Sequence, residues 1–168
     1  MKNIVLVGFM GTGKTAVGKQ LAKKLDMRYV NTDNLIEARE DMPINEIFAK
    51  KGEPHFRKIE KEVVKDVAAA GGQVIATGGG VVLDNENMDN LKNNGVIICL
   101  NATPEDILKR TRSYADRPLL NVPDPLAKIK ELLSAREPYY KKADHQIDTS
   151  GKSVREVVGE VVRKAELA

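Results

Sequence analysis

An apolar run, NIVLV at positions 3–7, passes directly into GFMGTGKT at positions 8–15. That junction limits the possible folds more than any other feature of the sequence. The first stretch is short and rich in β-branched residues, as a buried strand is. The second brings together Gly8, Gly11, Gly13, Lys14 and Thr15. It matches Gly-x-x-x-x-Gly-Lys-Thr, the P-loop pattern, in which a strand turns into a helix around phosphate. Glycines let successive backbone N–H groups turn inward with no Cβ in the way. The N-terminus of the following helix adds partial positive charge. A lysine at position 14 can reach β- and γ-phosphates, and the Thr15 hydroxyl can ligate Mg2+. Gly11, Thr12, Gly13, Lys14, Thr15 and Ala16 are therefore the candidate nucleotide contacts, with Thr15 as the candidate metal ligand. A plain glycine turn needs neither the lysine nor the hydroxyl, so the stretch reads as a site for ATP or GTP.

Beyond this loop, short β-branched runs alternate with helical patterns. Strands are expected at 4–7, 28–31, 74–76, 96–100 and 146–148. Residues 15–25 set Val17, Leu21 and Leu25 at four-residue spacing, and 53–70 set Phe56, Ile59, Val63, Val67 and Ala70 on one stripe. Both read as amphipathic helices. INEIFAKK, with Pro43 before it and Gly52 after it, reads as a short helix. Alternating elements imply an α/β fold, a parallel sheet covered on both faces. In such sheets ligands bind beyond the carboxyl ends of the strands.

The bulk numbers exclude several classes. A chain of 168 residues suits one domain, 1–168. No apolar run approaches the roughly 20 residues that span a bilayer, and no small-residue cleavage site follows the N-terminal apolar run. Cys99 is the one cysteine, which rules out an intrachain disulfide framework; within VIICL it reads as a small core residue. The cytoplasm is the natural location. A formal charge of +3 is too small to suggest nucleic acid as a partner. Residues 109–142, however, hold nine Lys and Arg against four Asp and Glu, a local basic excess suited to a small anionic ligand.

The acceptor of the phosphate should lie at the other strand ends. Asp33 follows the second strand; capping of a helix starting near Leu35 is its plainer reading. Gly78, Gly79 and Gly80 follow the third strand. Three consecutive glycines cost folding entropy and make sense where a ligand lies against bare backbone; a flexible loop is the alternative. On the long helix, Arg57 and Glu60 are three apart and face the same way. They form either a surface ion pair or an arginine held by a carboxylate to grip an acidic substrate. Arg136 in SAREPYY offers a second such arginine. Residues 110–125, RTRSYADRPLLNVPDP, carry three arginines and three prolines and little helical period. A segment of this kind reads as a lid that closes Arg117 over the γ-phosphate and keeps out water. Neither His55 nor His145, which precedes the last strand, has a partner at metal-ligand spacing.

Taken together and in order, GFMGTGKT, NTD, FRKIE, TGGGVV, ADRPLL and AREPYY resemble the shikimate kinase family over nearly the whole chain. The P-loop is shared by many nucleotide-binding families; the combination of FRxxE, GGG and RPLL is far more specific. The resemblance implies a three-layer, five-stranded parallel sheet with a lid at about 111–125 and a substrate-binding helical region at about 33–60. It implies ATP-dependent phosphorylation of the 3-hydroxyl of shikimate, on the path to chorismate and aromatic amino acids, with Mg2+ and by a monomer. Carried over by position, Asp33, Arg57, Arg136 and the Gly78–80 backbone would contact shikimate. Lys14, Asp33 and Arg117 would serve catalysis, with Arg117 on the phosphates. Arg110 would flank the adenine, opposite the TSGKS loop at 149–153.

One position departs from the family pattern, which has Asp-x-Asp after the second strand: here the first is Asn31. In relatives that aspartate helps hold Mg2+ through a water, so weaker Mg2+ binding is expected. Three rival readings share parts of the pattern. A gluconate kinase would use the same loop, lid and arginines. A nucleoside-monophosphate kinase would need a larger acceptor pocket. A non-catalytic nucleotide-binding module would show damage at Lys14, Asp33 or the lid arginine, and all three are intact.

Overall fold

The computed structural model describes residues 1–112 and 122–166. Five strands, β1 (Asn3–Val7), β2 (Arg28–Asn31), β3 (Gln73–Ala76), β4 (Gly95–Asn101) and β5 (His145–Asp148), form one sheet in the order β2-β3-β1-β4-β5. Every neighbouring pair is parallel, with Val5 opposite Ile75 on one side and Ile97 on the other. The strand carrying the phosphate loop is thus the central one. The described residues form eight α-helices: α1 (Lys14–Leu25), α2 (Thr32–Glu40), α3 (Ile44–Lys51), α4 (Glu53–Ala68), α5 (Asn85–Asn93), α6 (Pro104–Thr111) and α7 (Pro125–Tyr140) between the strands, and α8 (Val154–Glu166) after β5. A short 3-10 turn, Val81–Leu83, follows β3.

The three layers follow from the two-residue period of the strands. Val5 and Val7 of β1 point to one face with Val30, Ile75, Ile97 and Cys99, where they meet Ile36, Ile47, Phe56, Val63, Met88, Ile107 and Ile129 of the helices. Ile4 and Leu6 point to the other face with Val74, Ile98 and Leu100, and are covered by Val17 and Leu21 of α1 and Val157, Val158 and Val161 of α8. Both faces of β1 are buried, which is why its sequence is a continuous apolar run and not an alternating one.

The expected strands each lie within an observed strand and fall no more than one residue short at either end. The expected helix over 15–25 gains Lys14, and that over 53–70 ends at Ala68. Pro43 caps α3 from outside, and Gly52 closes it with φ 84°. His145 is the first residue of β5, not a residue before it. Of the stretch 110–125, Arg110 and Thr111 belong to α6 and Pro125 starts α7; residues 113–121, most of the expected lid, lie outside the described residues. No helix among the described residues is long and apolar enough to cross a membrane.

Candidate active site

The P-loop runs from the end of β1 into the first turn of α1. Gly8, Gly11 and Gly13 have φ of 141°, 78° and 99°, values that side-chain-bearing residues rarely adopt. Gly8 also sits against the neighbouring strand: a Cβ there would stand 2.3 Å from the Leu100 carbonyl oxygen. Thr12 Oγ1 donates to the Phe9 carbonyl at 2.8 Å and pins the loop from within. Lys14 is nearly buried; its ammonium donates to the Phe9 carbonyl at 2.9 Å and to the Gly8 carbonyl. Thr15 and Ala16 are exposed.

A cavity of about 670 Å³ opens over this loop, with Gly11, Gly13, Lys14, Thr15 and Ala16 on one wall. Asn31 and Asp33 form the second wall, and Thr77, Gly78 and Gly79 the third. A recess of about 60 Å³ continues from it, bounded by Phe48, Phe56, Arg57, Glu60, Gly80 and Arg136. Asp33, Gly78, Gly79, Met10 and Ile44 line both. The phosphate loop and the two arginines therefore address one continuous space.

Asp33 does not cap its helix. The N-cap of α2 is Asn31, whose Oδ1 accepts from the Asn34 N–H at 3.1 Å. Asp33 is the second helical residue and turns to the cavities. Its carboxylate lies against the glycine run: a Cβ on Gly78 would be 2.7 Å from Asp33 Oδ1. A Cβ on Gly79 would be 3.4 Å from Arg136 Nη1, and one on Gly80 2.5 Å from both terminal nitrogens of Arg57. Gly78 makes room for Asp33 and Glu60, and Gly80 for Arg57, while a Cβ on Gly79 would stand at ordinary contact distance from Arg136. Gly78 and Gly80 are buried, and Gly80 has an ordinary φ of −99°. The run is a packing requirement, not a flexible loop.

Arg57 and Glu60 are not a surface pair. Arg57 Nη1 donates to Glu60 Oε1 at 2.9 Å, and the Glu60 side chain is 1% exposed. Burial pushes the Glu60 carboxyl up to about 7, against the pull of the Arg57 guanidinium beside it. Glu60 Oε2 is buried and, among the described residues, has no hydrogen-bond partner. Arg57 also stacks on Phe56, 5.1 Å from the ring centre. Arg136, buried on α7, lies 5.6 Å from the ring centre of Phe9 in the phosphate loop. Two guanidiniums from different helices thus converge on Gly79 and Gly80.

Arg110 ties the far end of the site together. Its Nη1 donates to the Gly11 carbonyl at 3.2 Å and to Thr149 Oγ1 at 3.0 Å, and its Nη2 to the Thr149 carbonyl at 3.2 Å. Thr149 opens the TSGKS loop, so the expected neighbours of an adenine are adjacent. Arg117 lies outside the described residues. His55 meets the Glu40 carboxylate at the end of α2, away from both cavities. Cys99 is buried in the core, and burial pushes its thiol up to about 12, far from a reactive thiolate.

Three features escaped the sequence reading. Glu60 is buried; it stands four residues after Phe56 and three before Val63, on the apolar stripe itself, and that position was the available signal. Tyr140 donates its hydroxyl to the Gly79 carbonyl at 2.7 Å. Thr149 anchors Arg110, a pairing across 39 residues with no local signature.

Thr15, Asn31 and Asp33 line the larger cavity; their side chains carry oxygen atoms, a donor type that fits Mg2+. Among the described residues no group of three or more His, Cys, Asp or Glu could cage a metal.

Comparison with known proteins gives one consistent result. The family model described as shikimate kinase matches residues 10–166. A shikimate kinase of Caldanaerobacter subterraneus is 53% identical, over 97% of this chain and 95% of its own. The solved structure of shikimate kinase from Acinetobacter baumannii in complex with shikimate superposes with a TM-score of 0.94 at 36% identity, covering 97% of this chain and 92% of that one. A gluconokinase from Sinorhizobium meliloti covers 99% of this chain and 94% of its own with a TM-score of 0.65 at 17% identity, a likeness of fold alone.

Proposed function

This chain belongs to the shikimate kinase family, catalysing ATP-dependent phosphorylation of shikimate in the shikimate pathway, and we propose that its own residues divide that task as follows. The P-loop cradles the ATP phosphates, with the Lys14 ammonium leaving its loop carbonyls for β- and γ-phosphate oxygens. Shikimate, a small ring with one carboxylate and three hydroxyls, enters the recess carboxylate first. Arg57 and Arg136 grip that carboxylate through charge-assisted hydrogen bonds. The ring then rests on the glycine run, and its 3-hydroxyl faces Asp33. Asp33 orients the hydroxyl for in-line attack and accepts its proton.

Phosphoryl transfer asks little covalent work of a protein; it asks for alignment and neutralised charge. Thr15, with Asn31 through a water, would hold Mg2+, which would supply positive charge at the phosphates. Arg117, outside the described residues, would add to that charge. Arg110 and the TSGKS loop flank the adenine. The reading extends to a monomer acting in the cytoplasm, where ATP is held.

The observation that carries this division is the shared wall: Asp33, Gly78 and Gly79 border both the phosphate cavity and the two-arginine recess. An acceptor gripped at one end is thereby presented to the γ-phosphate at the other. ADP release with ATP and Mg2+, comparing shikimate, gluconate and AMP at equal concentration, tests it. Saturable turnover with shikimate alone supports the division. Comparable turnover with gluconate or AMP would show that the arginine recess is not selective for shikimate.

A further inference from the structure

Tyr140 is a buried side chain, 5% exposed, at the end of α7. It stands one helical turn after Arg136, so the two share a face. Its backbone carbonyl accepts from Gln146 Nε2 of β5 at 2.8 Å, and Gln146 Oε1 in turn accepts from Asn101 Nδ2 of β4 at 2.9 Å. The backbone of Tyr140 is therefore tied to the sheet. From that anchor the hydroxyl reaches the Gly79 carbonyl. Burial pushes the hydroxyl up to about 12, opposed by the nearby Arg136 guanidinium, so it remains a proton donor throughout the working pH range.

A trans peptide unit is planar, and its C=O and N–H point in opposite directions. Fixing the Gly79 carbonyl toward Tyr140 thus turns the Gly80 N–H away from it. Gly80 borders the recess, and among the described residues its N–H donates to no acceptor. Val81 N–H donates to the Gly78 carbonyl at 3.2 Å and Leu83 N–H to the Gly80 carbonyl at 3.1 Å, which holds the two ends of the run. Between them, glycine leaves the Gly79–Gly80 peptide free to rotate, and the Tyr140 hydroxyl tethers it.

We propose that Tyr140 is a positioning residue for the acceptor: its hydroxyl sets the Gly79–Gly80 peptide so that the Gly80 N–H meets shikimate, and it steadies Arg136 beside it. The proposal rests on the assignment of the recess to shikimate. Tyr140 touches neither substrate; it acts through the glycine backbone.

The test is Tyr140→Phe, which keeps the ring and removes only the hydroxyl. Titrations of the wild type and the variant with shikimate and, separately, with ADP are combined with the 15N–1H resonance of Gly80. The dissociation constant for shikimate should rise about three- to tenfold, the worth of one hydrogen bond. ADP affinity should be unchanged. The Gly80 amide resonance should shift on adding shikimate to the wild type and shift much less in the variant. Equal shikimate affinity in both proteins, or a Gly80 resonance that ignores shikimate in the wild type, overturns the role of Tyr140. Failure of the wild type to bind shikimate overturns the assignment of the recess, and the proposal with it. A parallel loss of ADP affinity would mark a general structural defect and also refute the positioning role.

Discussion

Glu60 Oε1 accepts a hydrogen bond from Arg57 Nη1 at 2.9 Å, with the carboxylate shut off from solvent and the guanidinium a quarter exposed at the edge of the recess. The pair is asymmetric. Arg57 can turn toward a ligand; Glu60 cannot leave. Because burial raises the Glu60 carboxyl to about 7 from an ordinary 4.5, the folded state holds its proton more tightly than the unfolded chain does. The stability this gives is fully present below about 4.5 and is lost as pH rises through about 7. The whole effect amounts to at most about 3 kcal/mol. In Glu60→Gln the slope disappears. Melting temperatures from pH 4.5 to 8 should therefore show the variant gaining on the wild type as pH rises. Parallel curves would mean that Glu60 is ionised throughout.

Gly80 is predicted to be intolerant of even one methyl group. A Cβ there would meet the Arg57 guanidinium at 2.5 Å, and the flexible side chain would yield before the backbone did. Gly80→Ala should therefore raise the shikimate KM about 10- to 100-fold, the cost of a misdirected charge-assisted hydrogen bond. The KM for ATP and the melting temperature should change little. Steady-state kinetics with each substrate varied in turn reads this directly.

Arg110 joins the phosphate loop to the TSGKS loop through three hydrogen bonds. Arg110→Ala releases both loops at the nucleotide end. The expected outcome is a KM for ATP about tenfold higher, with shikimate binding to the nucleotide-free enzyme unchanged. Calorimetric titration with shikimate alone, beside initial rates at varied ATP, separates the two effects.

Asn31 both caps α2 and borders the phosphate cavity. An aspartate would keep the capping oxygen and add a negative charge at a helix N-terminus, where charge of that sign is favourable. Asn31→Asp should therefore leave stability intact or slightly raised. The Mg2+ concentration for half-maximal rate should fall by roughly three- to tenfold, the scale of one added charge near the ion in a solvated site. An unchanged Mg2+ requirement would remove Asn31 from the metal's surroundings.

Much of this was legible in the sequence because the informative residues obey local rules. The strands are continuous β-branched runs, since a doubly covered parallel sheet buries both faces of each strand. The P-loop announces itself by its glycines, which are needed for their φ. The GGG run reads differently: Gly78 and Gly80 are needed for the space that Asp33 and Arg57 occupy, and those side chains come from distant elements. Glu60 looked exposed because a carboxylate on a helix usually is; only its place on the stripe of α4 says otherwise. The helix α7 escaped because it runs through Pro138, a residue that in sequence marks the end of a helix, and because its apolar residues are not gathered on one side. Asn31 took the capping role from Asp33 because α2 begins earlier than its apolar residues suggest.

The proposed division of roles requires Arg57 and Arg136 to hold the acceptor by its carboxylate beside the phosphate loop. Initial rates with shikimate and with its methyl ester, at saturating ATP and Mg2+, test it most directly. The ester keeps the ring and all three hydroxyls and loses only the negative charge. A KM about 100-fold higher for the ester, the loss expected when two charge-assisted contacts are weakened, is the predicted result. Equal KM values for the acid and the ester would contradict the claim and move the carboxylate out of the Arg57–Arg136 recess.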